Sequence, residues 1–336
     1  MSRSERCFWI ACYPDLPRPI GGVKQMHRLA EAIKACGHRA VLVQESADFH
    51  PGWFQSKVST IARADWITGT QFNPQTDVVI VAETFLPMIP KLAPGVPKVL
   101  FNQNGAYSFG VQGKPLLSPQ KVLAMYRHQE LRQIWCVSEH DRRLLSLGFG
   151  LHTNRVRRIV NGLETEHLKP SGRKKRQVVY MPRKNNADAE VVMALLQQQP
   201  WFRDWSLLPI RNCSHAEVVQ ALQQSLMFLS FGHPEGFGLP VAEALACGCA
   251  VVGYSGLGGR ELFAFARGYG LGIEVAFGDW LGFVDGVRQL DQHLRQRQDD
   301  LLHQLQAMSD EVRQRYSALA MQTSVAAAIC QLDEVP

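Results

Sequence analysis

Residues 234–262 read PEGFGLPVAEALACGCAVVGYSGLGGREL, and they combine the residue types that chemistry at an anionic ligand requires. Gly236 and Gly238 allow main-chain N–H groups to come close to a ligand, and Pro240 suits the first position of a helix starting there. A helix N-terminus favours an anion, and behind a glycine-rich turn it suits a diphosphate. Glu235 in the turn and Glu243 in the helix, with seven residues between them, bring two carboxylates to this anion site. A carboxylate does not bind phosphate. It is suited instead to accept hydrogen bonds from sugar hydroxyls, which need strong, oriented acceptors.

Such a turn must be held by a strand before it and a helix after it, and the whole chain alternates in that way. Short apolar runs are expected as strands at Cys7–Cys12, Arg39–Gln44, Asp77–Ala82, Lys98–Asn102 and Ile134–Val137. The alternation restarts at Gln177–Met181, Ser206–Pro209, Met227–Phe231 and Ala250–Tyr254. Each run is apolar on both faces, as a parallel sheet between helices requires. Between the first two runs, Val23, Met26, Ala30 and Ile33 fall on one helical face, with Gly37 placed for a left-handed cap. From about Gly282 onward the pattern is helical. Lys169–Arg176 (KPSGRKKR) has the composition of an interdomain linker.

At 336 residues, with 46% hydrophobic and 20% charged, the chain has the composition of a globular enzyme of two or three domains. No apolar run approaches the roughly 18 residues needed to span a bilayer. Eight scattered cysteines form no CxxC pair and point to a reducing cytoplasm; Cys247 and Cys249 are expected in the core rather than on a metal. Residues 1–170 carry 21 Lys and Arg against 13 Asp and Glu; the remainder carries 15 against 17. The basic half suits an anionic membrane surface or an acidic acceptor, with a merely solvated surface as the alternative. No zinc finger, helix-turn-helix or RNP signature supports nucleic acid.

The 234–262 stretch resembles the signature of the retaining GT-B glycosyltransferases of family 4, Glu-Gly-Phe-Gly-Leu-Pro-x-x-Glu followed by a Gly-Gly loop and another Glu. Glu235, Gly236, Phe237, Gly238, Leu239, Pro240, Glu243, Gly258, Gly259 and Glu261 match every position. IGGVKQMHRLAEAIKACGH is similar to the family's first glycine loop and helix, and VSEHDRRLL and RRIVNGLETEHLKP to the end of its first domain and the passage into the second. The resemblance implies an α/β fold with two Rossmann-like doubly wound domains facing a central cleft. The expected division is 1–165 on the acceptor side and 166–315 on the nucleotide-sugar side, with a closing helix at about 316–336 packing back on the first.

It also implies roles. Glu235 is assigned to the donor sugar, Glu243 to the ribose hydroxyls, and Gly236, Phe237, Gly238 and Leu239 to the donor, with Gly21 and Gly22 approaching its phosphates from the other domain. His38 is expected to be structural. The family carries an Arg at the end of the second domain's first strand and a Lys about five residues later, both on the leaving diphosphate. Here Arg183 fits the first position, Asp188 stands where the lysine would be, and Lys184 is the nearest lysine. Relatives place a His or an acid after the fourth strand; this chain has Asn102, Gln103, Asn104 and Gly105, and Asn104 is assigned to a sugar or acceptor, with an Asn-Gly turn as the alternative. His233 is expected near the sugar.

No Asp-x-Asp metal signature, Gly-x-Ser-x-Gly elbow or dinucleotide fingerprint occurs. The expected function is transfer of a sugar, with retention and without a metal or cofactor, from a nucleotide sugar to a saccharide or lipid-linked acceptor. The setting would be cell-surface polysaccharide or glycoconjugate biosynthesis, in the cytoplasm or peripherally on the inner face of the membrane. A non-catalytic nucleotide-sugar-binding subunit and a sugar-nucleotide epimerase are the rivals.

Overall fold

Short, fully apolar runs can satisfy their backbone only inside a sheet covered on both faces, and they form two all-parallel sheets. The computed structural model describes residues 5–110, 117–296 and 300–332. The chain divides into two units, Met1–Gly162 with Ala318–Pro336, and Leu163–Ser317.

The first unit holds β1 (Cys7–Ala11), β2 (Arg39–Gln44), β3 (Ser59–Ala62), β4 (Asp77–Ala82), β5 (Lys98–Asn102), β6 (Leu131–Cys136) and β7 (Val156–Arg158). Their order is β3-β2-β1-β4-β5-β6-β7, the doubly wound arrangement with one strand added. Between them lie α1 (Gly21–Ala35), α2 (Arg63–Gly69), α3 (Pro119–Met125) and α4 (Glu139–Arg143). Gly37 has a φ of +83° and closes α1 as expected. His38 takes the structural role expected of it, meeting the ring of Phe8 edge-on at 5.8 Å.

The second unit contains β8 (Lys175–Tyr180), β9 (Ser206–Pro209), β10 (Ser225–Ser230), β11 (Ala250–Tyr254) and β12 (Gly272–Val275), in the order β12-β11-β10-β8-β9. The strands alternate with α5 (Asn186–Gln197), α6 (His215–Gln224), α7 (Leu239–Ala246), α8 (Arg260–Gly268) and α9 (Trp280–Gln296), and α10 (Leu301–Arg315) follows. The order reverses between β8 and β10, so α5 and α7 leave on opposite faces of the sheet. A crevice opens at such a switch point beyond the strand ends.

α11 (Ala318–Cys330) belongs to the first unit and packs on α1, where Gln322 donates to the Ala35 carbonyl at 2.9 Å. The last residues of the expected closing helix, 333–336, lie outside the described residues.

Three strands escape the sequence pattern, β3, β7 and β12, and all are edge strands of three or four residues that are not apolar on both faces. β6 begins three residues before the apolar run because Gln133 is buried within it, its side chain accepting from the Trp135 indole at 2.8 Å. The segment 169–176 is not a linker. It lies within the second unit, and its last two residues open β8. Lys174 Nζ donates to the carbonyls of Leu222, Ser225 and Cys247 at 3.1, 2.9 and 2.5 Å, placing its charge at the C-terminal ends of α6 and α7. Arg176 pairs with Asp204 at 3.1 Å and with Asp291, and lies 4.4 Å over Trp205.

Candidate active site

In the second unit, the loops leaving β8 and β10 meet at the switch point. β8 ends at Tyr180 and turns through Pro182 and Arg183, so neighbouring side chains are released from the alternation of a strand. Arg183 is exposed, while Lys184 turns inward. Lys184 Nζ lies 2.9 Å from Glu235 Oε1 and donates to the Pro234 carbonyl at 2.8 Å. Asn185, the next residue, donates to the carbonyls of Phe231 at 2.6 Å and His233 at 3.3 Å. Two consecutive side chains thus hold residues 231–235 against the end of β8.

The loop after β11 supports the same turn from the other side. Glu235 N–H donates to Gly256 O at 2.8 Å, and Gly258 N–H donates back to Glu235 O at 3.0 Å. A Cβ on Gly258 would fall 2.0 Å from Gly236 O, so the Gly-Gly loop is glycine because backbone lies on backbone. Gly238 caps α7 with φ +89°, a conformation that a side chain would strain. α7 begins at Leu239, which puts Pro240 in its second position, one residue from the expected place. Phe237 is buried and its ring meets Tyr316 edge-on at 5.0 Å, so it contributes main chain to the turn while its ring joins the core.

Glu243 sits one turn into α7, with Oε1 3.8 Å from His215 Nε2; His215 Nδ1 is 3.5 Å from Glu164 Oε2. His215 was not singled out in the sequence, although Ser214-His-Ala-Glu217 is a legible capping box that sets it at the start of α6. His233 is stacked on Phe277, with ring centroids 4.2 Å apart and planes 15° apart. Burial, with the nearby Lys184 charge adding and Glu235 opposing, holds the His233 pKa below its ordinary value, which favours the neutral ring.

The first unit has its own switch point, between β1 and β4. Gly21 and Gly22 form the first turn of α1, and a Cβ on Gly22 would lie 3.1 Å from Gln103 Oε1. Gln103 N–H donates to Glu83 Oε2 at 2.9 Å, and Gly105 N–H to Asp141 Oδ2 at 3.1 Å. Burial pushes both carboxyls up to about 7, because ionising them inside the unit costs solvation. Asn104 is buried, and its Oδ1 accepts from Ala106 N–H at 3.1 Å, so it shapes the turn. Among the described residues, no three His, Cys, Asp or Glu side chains come together as a metal site.

Residues 209–298 match the family described as Glycosyl transferases group 1. An alpha-1,6-glucosyltransferase of Actinobacillus pleuropneumoniae is 24% identical over 127 residues; the match spans 37% of this chain and 36% of that protein. Sucrose-phosphate synthase from Thermosynechococcus elongatus superposes with a TM-score of 0.70 at 12% identity, covering 98% of this chain and 100% of that one. Anabaena HepE, solved in complex with UDP, gives 0.68 at 13% identity over 97% and 99% of the two chains. The architecture is that of the GT-B glycosyltransferases.

Proposed function

We propose, for a chain whose residues 209–298 match the group 1 glycosyltransferases, that the protein transfers a sugar from a nucleotide sugar to a saccharide or glycolipid acceptor with retention of configuration. The observation that carries this reading is the Lys184–Glu235 pair, 2.9 Å apart at the switch point of the second unit, with Glu235 four residues before α7. An ammonium group, a helix N-terminus and a carboxylate are thereby brought to one place. The first two stabilise a diphosphate, and the third accepts sugar hydroxyls.

In this reading Lys184 and the exposed Arg183 meet charge growing on the leaving diphosphate, the electrostatic contribution that dominates such chemistry. The bond from the anomeric carbon to the phosphate oxygen breaks while the acceptor oxygen bonds to that carbon on the same face. The acceptor proton passes to the departing diphosphate. Glu235 orients the sugar, and Glu243 accepts from the ribose. His233 faces the sugar. The catalytic cations are side chains, so the reaction is proposed to need no metal.

HepE, solved with UDP, supports a nucleotide ligand, and the Actinobacillus alpha-1,6-glucosyltransferase supports transfer of a hexose. Eight free thiols support a reducing, cytoplasmic setting. The basic excess of the first half supports peripheral contact with an anionic leaflet; Lys174 and Arg176 do not, because both are committed to internal partners. Donor hydrolysis tests the activity. Wild type should release nucleoside diphosphate from at least one nucleotide sugar in excess EDTA, and Glu235→Gln should do so more slowly. Release that requires added manganese or magnesium would remove the metal-independent mechanism.

A further inference from the structure

We infer that His233 and Phe277 form a shelf for a pyranose ring beside the Lys184–Glu235 pair. Phe277 lies two residues beyond β12, at the same strand-end edge of the sheet as the switch point. It is 54% exposed, a large apolar ring left in water while one of its faces is taken by His233. Its edge rests on Tyr254 at 5.2 Å and 71°, and Tyr254 is fixed in turn by donating its hydroxyl to Asp188 at 2.8 Å. Tyr254 also meets Phe231 and Phe283 edge-on in the core. The exposed ring is therefore backed by buried aromatics.

The loop that carries His233 also carries Glu235. The His233 and Pro234 carbonyls receive Asn185 and Lys184, so shelf and ion pair move as one piece. A pyranose presents an apolar C–H face bordered by hydroxyls. A neutral aromatic surface next to a carboxylate and an ammonium complements both parts. A lipid tail would leave the charges unmatched, and a nucleobase placed here would leave the carboxylate without hydroxyls to accept from. The ring on the shelf belongs to the donor or to the acceptor, and the chemistry is shared.

The inference rests on the reading that this unit binds a nucleotide sugar, and the test separates the two. Wild type, Phe277→Ala and Phe277→Trp are titrated calorimetrically with UDP, GDP, ADP and dTDP, with their glucose conjugates, and with methyl α-glucoside in the presence of the best-binding diphosphate. Phe277→Ala should leave diphosphate affinity unchanged. It should weaken either the glucose conjugate or the methyl glucoside by about five- to tenfold, with Phe277→Trp restoring it. Loss on the conjugate places the donor sugar on the shelf, and loss on the glucoside places the acceptor there. Unchanged sugar affinities, or an equal loss for the bare diphosphate, overturn the shelf. Glucoside binding that needs Phe277 in a protein that binds no nucleotide keeps the shelf and removes the donor reading. Binding of neither removes both.

Discussion

Glu235 and Glu243 belong to one signature but have different neighbours. Glu235 faces Lys184 across the switch point, whereas Glu243 faces His215 at the start of α6. Replacing Glu235 with Gln removes the charge proposed to orient the sugar and should lower turnover with little change in affinity for the free nucleotide. If the loss fell entirely on nucleotide binding, the two glutamates would exchange roles. Lys184→Met should reduce turnover by about a hundredfold, the scale of removing one preorganised group from a developing negative charge. Steady-state kinetics on a wild-type-like fold checks this; unchanged turnover would shift the role to Arg183. The glutamates, glycines and proline were legible in sequence because backbone geometry and chemistry constrain those positions to particular residue types. Composition alone does not separate Lys184, which turns inward, from Arg183, which is exposed. Phe277 was invisible for another reason: it is a single aromatic residue in a loop 42 positions from Glu235, and only the sheet brings it to His233.

At the scale of elements, the alternation of apolar runs was enough to locate the central strands, which are buried on both faces. It failed at β3, β7 and β12, which are short edge strands that are only partly buried. It failed again at 169–176, where lysine and arginine read as solvated although Lys174 closes two helix ends. Lys174→Met should therefore destabilise the protein by about 1–3 kcal/mol, since three carbonyls at two helix ends lose a charged donor. Chemical denaturation measures this, and a loss near zero would mean that water replaces the ammonium. In the first unit, Glu83 has a raised pKa in the folded state. Its contribution is most favourable below the unfolded carboxylate pKa and is lost as pH rises through about 7. Glu83→Gln keeps an acceptor for Gln103 N–H and removes the charge. It should gain about 2 kcal/mol over wild type at pH 8 and little at pH 4, as read from paired denaturation curves. A difference that does not change with pH would contradict the burial argument.

For the whole molecule, charge separates the two halves, with 21 basic and 13 acidic residues in 1–170. Among the described residues, no helix is long and apolar enough to cross a membrane. Any attachment through the basic surface is electrostatic, worth about 1 kcal/mol per cation near an anionic leaflet and screened within a Debye length of about 8 Å. Cosedimentation with vesicles containing phosphatidylserine should occur at low salt and be lost by about 0.5 M. Binding that is absent at low salt, or indifferent to salt, would leave the basic half as a solvated surface. The claim on which the rest depends is that the second unit holds a nucleotide sugar at the start of α7. Calorimetric titration of wild type and Glu243→Ala with UDP, GDP, ADP and dTDP tests it most directly. At least one of these nucleotides should bind wild type, and its affinity should fall by about tenfold or more in the variant, because the charged acceptor proposed for the ribose is gone. Binding of none of the four, or equal binding by both proteins, would contradict the account.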